Sequence, residues 1–365
     1  LALINIVSGI LALDVEPIVV LPHEGPLADR FRKMGVKVYF VMHYNAIYPR
    51  RKFLVDYVLY PYRLLRTLLF NKIAEYRFRM IVLEEHPDII HSNSGVIRFG
   101  EKIAKGLNIP HVWHVREFQS KKFFGNPLGG EKKVRKLYHS LNNHCIAITK
   151  AVFQYFDLDS LKDCVIYDGV FPANITISNV QNKKKYLLFV GALQNGKGIY
   201  DVLSAFDAVA NNIPEYELWI AGKDYVNISH EISIRHNAHQ IKYLGFRTDI
   251  YSLMANATAL LVPSYNEGFG FITVEAMLNK TLVIGRNVTG TKEQFDNGKD
   301  MSGMEIGIRF NTTEELSEKM LQVCKKNQSY FKQMINQAYN VVISNYTIEK
   351  NTQQIKNLYE QILRK

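Results

Sequence analysis

Two glutamates and two glycines lie close together after an apolar run in the second half of the chain. The run Ala259–Val262 is typical of a buried strand, and Glu267, Gly268 and Gly270 follow it before a helical pattern that contains Glu275. Glycines allow close approach of a ligand, and the free N–H groups at a helix start attract phosphate. A carboxylate beside phosphate is unfavourable unless it binds hydroxyls. The pattern therefore indicates a sugar-phosphate site, and the alternative is a glycine turn with one surface glutamate and one glutamate on the helix.

A second glycine-rich loop also joins a predicted strand to a predicted helix. It runs from Gly191 to Gly198 and carries Lys197. The spacing of its glycines fits neither the Walker A motif nor the dinucleotide-binding fingerprint. Lys197 is therefore interpreted either as the cation for a phosphate group or as an ordinary surface lysine.

These two loops resemble the donor-binding motifs of retaining glycosyltransferases of the GT-B fold. That large family has a Glu-x7-Glu motif and includes bacterial mannosyl- and glucosyltransferases. The resemblance covers nearly the whole chain and is strongest between Lys185 and Glu293. It implies that Glu275 binds the ribose of a nucleotide sugar and that Glu267 lies by the transferred sugar and its phosphates. Where relatives usually have an arginine this chain has Ala192, which leaves Lys197 as the main cation.

The resemblance also implies a complete set of donor-binding residues. Main-chain groups around Phe246 and Arg247 would bond the base, and the amides of Gly268–Phe271 would line the pocket. The predicted donor-binding residues are Gly191, Lys197, Gly222, Phe246, Arg247, Glu267, Gly268, Phe269, Gly270, Phe271 and Glu275.

Polar residues follow two predicted strands in the first half of the chain. Asn93 and Ser94 follow one strand, and His114, Arg116 and Glu117 lie at the end of the next. Ligands bind at the carboxyl ends of strands in open α/β sheets. The resemblance implies a histidine that contacts the donor sugar; strand alignment puts Arg116 at that position and His114 two residues earlier. The predicted catalytic residues are Glu267, His114, Arg116 and Lys197, and the predicted acceptor-side residues are Asn93, Ser94, Glu117, Lys121 and Lys122.

Predicted strands and helices alternate along the chain, which indicates parallel sheets built from βαβ units. With the resemblance, this predicts an α/β protein of the GT-B fold, with two Rossmann-like domains facing a central cleft and a last helix that crosses back. The expected parts are an N-terminal domain (1–172), a linker (173–185), a nucleotide-sugar-binding domain (186–345) and a C-terminal helix (346–365). A first strand and glycine loop, which the resemblance implies before the opening helix, are missing; we interpret this as a truncation.

Composition and cysteine content narrow the class of protein. Hydrophobic residues make up 47% and charged residues 22%, which is ordinary for a soluble globular chain. Cys145, Cys164 and Cys324 have no metal or redox spacing, which favours a reducing compartment. No apolar run approaches the ~20 residues that cross a bilayer. We therefore expect a cytoplasmic protein, with the inner face of the plasma membrane as a peripheral location.

Positive charge is concentrated in the first half. The formal net charge is +11, and residues 1–180 contribute +8 of it, from 24 Lys and Arg against 16 Asp and Glu. Nucleic acid, an anionic membrane, an anionic lipid-linked acceptor and dispersed surface charge would each explain this. The stretch Arg50–Met80 is both basic and aromatic-rich. It predicts either a membrane-contact helix or a core-packed helix with a solvated face.

Taken together, these features predict a metal-independent retaining glycosyltransferase of surface polysaccharide synthesis, such as that of a capsule. The expected donor is a nucleoside-diphosphate sugar, UDP-linked in preference to GDP-linked, with no separate cofactor. The expected acceptor is a glycan or a polyprenyl-diphosphate-linked glycan, and no nucleic-acid partner is expected. A nucleotide-sugar 2-epimerase of the same fold and a non-catalytic nucleotide- or glycan-binding homologue remain the alternatives.

Overall fold

The computed structural model describes residues 1–49, 51, 53–119, 125–177, 180 and 183–364. The chain divides into two compact units, of which the first comprises Leu1–Gly169 with Ile348–Lys365 and the second Val170–Thr347. The domain boundaries expected from the sequence stay predictions. The predicted acceptor-side residues Lys121 and Lys122 lie outside the described residues.

The first unit consists of short parallel strands separated by helices. Its elements, up to the end of this half, are α1 (Ala2–Ile10), β1 (Ile18–Leu21), α2 (Pro26–Lys33), β2 (Lys37–Phe40), α3 (Leu54–Val58), α4 (Tyr60–Glu85), β3 (Ile90–Ser92), α5 (Phe99–Leu107), β4 (His111–Val115), α6 (Gly130–Tyr138), β5 (Asn143–Ala147), α7 (Lys150–Phe156) and β6 (Cys164–Val165). Strands β1 and β2 form one parallel pair, and β3–β4–β5–β6 form a second parallel sheet.

The second unit is a six-stranded parallel sheet with helices between its strands. Its elements are β7 (Lys184–Val190), α8 (Ile199–Val209), β8 (Glu217–Ala221), α9 (Ile228–Ser233), β9 (Ile241–Tyr243), α10 (Ile250–Asn256), β10 (Ala257–Val262), α11 (Phe271–Leu278), β11 (Leu282–Arg286), α12 (Thr289–Ser302), β12 (Ile308–Phe310), α13 (Thr313–Lys325) and α14 (Lys332–Asn345). Strand β7 already begins at Lys184, inside the segment 173–185 that the sequence suggested as a linker. The sequence patterns do not individually predict the elements from α12 to α14.

The strand order of this sheet decides where a ligand can bind. The order is β12–β11–β10–β7–β8–β9, so the chain runs outward from β7 in one direction, returns, and then runs outward from β10 in the other. This is the doubly wound order of Rossmann sheets, whose ligands bind beyond the carboxyl ends of the two central strands, where the direction reverses. In this sheet the reversal lies between β7 and β10, which pair in parallel.

The core of the second unit explains why these segments form strands. All six residues of β10 are buried, as expected for a central parallel strand covered on both faces. Helices α8 and α13 pack against each other, as do α11 and α14. The side chains that α8 and α13 bury include Phe206, Leu316 and Met320, which join the apolar cluster of the sheet.

The last helix, α15 (Ile348–Leu363), belongs to the first unit although it follows the second in sequence. It packs against α1, and its buried residues Ile355, Leu358 and Ile362 share an apolar cluster with Ile6 and Ile10 of that helix. The predicted return of the C-terminal helix to the first unit is confirmed. Within the described part of the chain, no helix combines the length and the apolar character needed to cross a membrane.

Candidate functional site

Two loops meet at the point where the strand order of the second unit reverses. The loop after β7 contains Gly196 and Gly198, and the loop after β10 contains Pro263 and Tyr265. The Tyr265 amide donates to the Gly196 carbonyl at 3.2 Å. Gly198 has a φ of +72°, and a Cβ there would lie 2.5 Å from the Pro263 carbonyl oxygen. A glycine at this position therefore lets the two loops touch.

Replacing Gly198 by alanine is expected to destabilise the second unit by roughly 2–5 kcal/mol. The left-handed backbone costs about 1–2 kcal/mol for a residue with a Cβ. The clash with Pro263 adds about 1–3 kcal/mol. Urea unfolding measures the change. Gly196→Ala is the matched control because a Cβ at Gly196 meets no heavy atom within 4 Å; equal losses for both variants would contradict the close-contact argument.

The contact between the two loops brings together a cation and an anion predicted from the sequence. The Lys197 ammonium donates to Glu267 Oε1 at 2.5 Å. The side chains are 32% and 14% exposed, so the pair is partly shielded yet open to a ligand. A partly shielded pair of this kind interacts more strongly than one in water. It offers an ammonium for a phosphate and a carboxylate for hydroxyl groups at the same place.

The backbone of Glu267 is held by the start of α12. The Glu267 amide donates to Thr289 Oγ1 at 2.9 Å, and the Gly290 amide donates to the Glu267 carbonyl at 3.0 Å. Gln294, one turn further, donates from Nε2 to the Phe269 carbonyl at 2.7 Å and to that of Gly270 at 3.2 Å. The glutamate loop is therefore fixed by its main chain, which leaves the Glu267 carboxylate for Lys197 or a ligand.

Arg286, which the sequence analysis did not single out, also holds this loop. Its side chain is buried, donates from Nε to the Pro263 carbonyl at 2.9 Å, and forms an ion pair with Asp201 at 2.5 Å. The guanidinium also lies over the Tyr265 ring, 4.4 Å from its centroid. The sequence signal for this role was a charged residue at the end of the apolar strand β11. A charge that is buried in this way requires a partner.

Glu275 lies in α11, which begins beside Glu267. Gly270, the residue before the helix, has a φ of +89°, and a Cβ there would lie 3.7 Å from Glu267 Cβ. Burial raises the pKa of Glu275 to about 6. The pKa of Tyr251 is raised to about 12, first by burial and then by the charge of Glu275, so the phenol lies near this carboxyl. A half-buried carboxylate of this kind gains from hydroxyl donors.

The loops after β7, β8 and β9 are joined at the same edge of the sheet. The Gly191 amide donates to Ala221 at 3.0 Å, and the Gly222 amide donates to Gly245 at 2.8 Å. A Cβ at Gly222 would lie 1.8 Å from the Gly191 carbonyl oxygen, so only glycine fits there. These contacts place the predicted donor-binding Gly191 and Gly222 at one edge with the loop that leads to Phe246.

Phe246 and Arg247 follow Gly245 in that loop. Phe246 is exposed. Arg247 forms two hydrogen bonds with Asp249, at 2.8 and 2.6 Å, on the surface. The Arg247 side chain is therefore paired with Asp249, and the predicted binding of the base by this segment depends on its main-chain groups.

In the first unit, four predicted residues lie together after β3 and β4. Ser94 donates to Glu117 at 2.8 Å, and Arg116 donates to Asn93 at 3.4 Å. Arg116 also pairs with the buried Asp168, whose pKa is raised by burial and held down in part by that arginine. Burial likewise raises the pKa of Glu117. These groups form a polar cluster at the carboxyl end of the sheet.

His114 lies inside the first unit, apart from that surface. Its side chain is 0% exposed, and neither ring nitrogen has a hydrogen-bond partner among the described residues. The ring stacks on His91, with the centroids 5.4 Å apart. Burial lowers the pKa of His114 well below its usual value, so the ring is neutral. A contact between His114 and a donor sugar stays a prediction.

Searches of known sequences find a family that is similar to the second unit. Residues 170–341 match the family described as Glycosyl transferases group 1. An uncharacterised glycosyltransferase, MJ1178 of Methanocaldococcus jannaschii, is 26% identical over 77% of this chain and 78% of its own. The N-acetyl-alpha-D-glucosaminyl L-malate synthase of Bacillus anthracis is 23% identical over 51% of this chain and 48% of its own.

Solved structures agree on the fold. Anabaena Alr3699/HepE in complex with UDP has a TM-score of 0.76 and 17% identity, covering 99% of this chain and 95% of its own. The complex of the same protein with UDP-glucose has the same TM-score, identity and coverage. Such identities show the fold alone. The chain thus has the GT-B fold, and its residues 170–341 are similar to the group 1 glycosyl transferases.

Proposed function

We propose that the chain transfers a sugar from a UDP-sugar to the hydroxyl of a glycan or a polyprenyl-diphosphate-linked acceptor, with retention and without a metal ion. The Lys197–Glu267 pair at the reversal of the strand order carries this proposal. It is a cation and a carboxylate held together where doubly wound sheets bind nucleotides.

Each side chain of the site then has a distinct task. The Lys197 ammonium and the first amides of α11 offset the charge of the departing diphosphate. The Glu267 carboxylate binds hydroxyls of the transferred sugar, and Glu275 binds the ribose hydroxyls. The exposed loop at Phe246 and Arg247 provides main-chain groups for the base. No covalent intermediate on the protein is required.

The proposed reaction conserves atoms and charge. The bond between the anomeric carbon and the diphosphate oxygen breaks, and the acceptor oxygen bonds to the same face of the sugar. The acceptor proton passes to the departing diphosphate. Lys197 stabilises the charge that develops on that diphosphate, which is the largest charge change in the reaction.

The proposed acceptor and location follow from a polar cluster of the first unit and from a structural neighbour. The cluster of Asn93, Ser94, Arg116 and Glu117 has the hydrogen-bonding groups that a sugar acceptor would require. WaaG, described as a glycosyltransferase involved in lipopolysaccharide biosynthesis, has a TM-score of 0.63 and 14% identity to this chain, covering 99% of this chain and 94% of its own. We therefore assign the chain to surface polysaccharide synthesis at the cytoplasmic face of the plasma membrane.

A panel of nucleotide sugars tests the proposal in two steps. UDP-sugars are expected to raise the unfolding temperature, and GDP-sugars are expected to leave it unchanged. The reason is that a ligand stabilises the folded state to which it binds. The stabilising UDP-sugar is then incubated without acceptor, and slow transfer to water is expected to release UDP and the sugar with its anomeric configuration retained. A 2-epimer formed from donor alone would instead show an epimerase. Binding with no UDP release would show a non-catalytic homologue.

A further inference from the structure

Helices α3 and α4 of the first unit expose an unusually apolar surface. Leu54 is 87% exposed, Tyr76 69% and Leu65 66%. We call the exposed apolar side chains along one side of α4 the α4 stripe; they are Tyr62, Leu65, Leu69, Ile73, Tyr76, Met80 and Leu83. Contiguous apolar surface of this extent on a soluble chain marks an interaction site.

The α4 stripe occupies one side of the helix, and the buried residues of α4 occupy the other. Its members recur at intervals of three or four residues, so they line one side at 3.6 residues per turn. The residues that α4 buries, which are Thr67, Ala74, Phe78 and Val82, lie on the opposite side. Phe78 packs edge-on against Phe99 of α5, with the ring centroids 5.1 Å apart. The helix is therefore held by one face while the other faces solvent.

Basic residues border the α4 stripe on both sides. At 3.6 residues per turn, Lys72 and Arg79 lie along one edge, and Arg66 and Arg77 lie along the other. Residues 50–83 contain eight Lys and Arg against two Asp and Glu. Both acidic residues are already paired, Asp56 with Arg63 and Glu75 with lysines.

We propose that this surface docks on an anionic lipid bilayer, with α4 lying in the plane of the interface. An apolar stripe edged by arginines and lysines is the pattern of helices that lie at a membrane surface, with tyrosines at headgroup depth. The helix has 26 residues, or about 39 Å at 1.5 Å per residue. A second copy of this chain would instead bring two basic faces together, which charge repulsion disfavours.

Vesicle flotation tests this proposal without reference to sugar transfer. The full chain is mixed with vesicles of phosphatidylcholine alone or of phosphatidylcholine with phosphatidylglycerol, and we expect strong binding to the anionic vesicles only. Leu65→Gln with Leu69→Gln is expected to weaken that binding at least tenfold. Arg77→Gln with Arg79→Gln is expected to weaken it by roughly 10- to 30-fold and to reduce its salt dependence.

Matched controls come from exposed residues away from the helix. Leu141 and Leu161 are 92% and 87% exposed, so Leu141→Gln with Leu161→Gln removes at least as much exposed apolar surface as the stripe variant. Lys184→Gln with Lys185→Gln removes equal charge from the second unit. Both controls are expected to bind like the parent, and unchanged unfolding temperatures show that all variants fold.

Three results would overturn the inference. The first is binding that does not depend on anionic lipid, and the second is equal loss in the controls. The third is a dimer, seen by light scattering without lipid, that dissociates when Leu65 and Leu69 are replaced, because the stripe would then serve a second copy of the chain.

Discussion

Lys197→Ala is expected to reduce sugar transfer from a UDP-sugar by roughly 100- to 1,000-fold, the usual cost of removing a group that stabilises developing charge. The ammonium lies 2.5 Å from Glu267 Oε1. Without it, the departing diphosphate would meet the Glu267 carboxylate with no cation between them. Binding and turnover are therefore both expected to fall, with the larger loss in turnover.

Steady-state kinetics on the variant and a matched control measures this effect. Lys185 lies near the amino end of β7, the strand that leads to the Lys197 loop, and its contact with Glu215 is a loose surface pair at 3.9 Å. Lys185→Ala is expected to leave kcat/KM within about twofold, as surface ion pairs contribute little. Equal activity of Lys197→Ala and the parent would remove Lys197 from the site, and so would an equal loss in both variants.

Glu275→Gln is expected to weaken UDP-glucose binding by roughly 10- to 1,000-fold. A carboxylate that accepts two ribose hydroxyls makes charge-assisted hydrogen bonds, each stronger than those of an amide. Isothermal calorimetry measures the change, and Glu275→Ala is expected to lose at least as much. Unchanged affinity in both variants would show that this side chain does not contact the nucleotide.

The same variant is expected to make the free protein more stable at neutral pH. Burial raises the pKa of Glu275 from 4.5 to about 6, so the folded chain holds this proton more tightly than the unfolded chain. Stability is therefore lost as pH rises from 4.5 through 6, by about 2 kcal/mol in total. Glu275→Gln avoids that loss, so its advantage in urea unfolding should appear at pH 7 and vanish at pH 4. An advantage of equal size at both pH values would contradict this origin.

Donor affinity should also depend on the ionisation of Glu275. The carboxylate form binds the ribose, so affinity for UDP-glucose should fall by up to tenfold per unit as pH drops below about 6. UDP-glucose is the suitable probe because its diphosphate diester does not titrate in this range. The Glu275→Gln variant is expected to bind weakly with no such fall.

Local sequence patterns indicated which segments have residues suited to the proposed chemistry. The glycine-rich loops with Lys197 and Glu267 follow apolar runs, and both runs are strands of one sheet. The parallel α/β class could also be predicted from the alternation of strands and helices. Helices between parallel strands cover both faces of the sheet, and the strands are therefore continuously apolar in sequence. The return of the last helix to the first unit came from the family resemblance.

Only the tertiary structure decided which residues meet. Lys197 and Glu267 are 70 positions apart, and their contact depends on β7 and β10 being neighbours, which no local pattern encodes. Arg286 became a support of the site because folding buries it against Asp201. His114 is buried because β4 is covered along its whole length, whereas Arg116 follows the last residue of that strand and is only partly buried. Strand order and burial are properties of the whole chain, and they decide which of the chemically suitable side chains can reach a ligand.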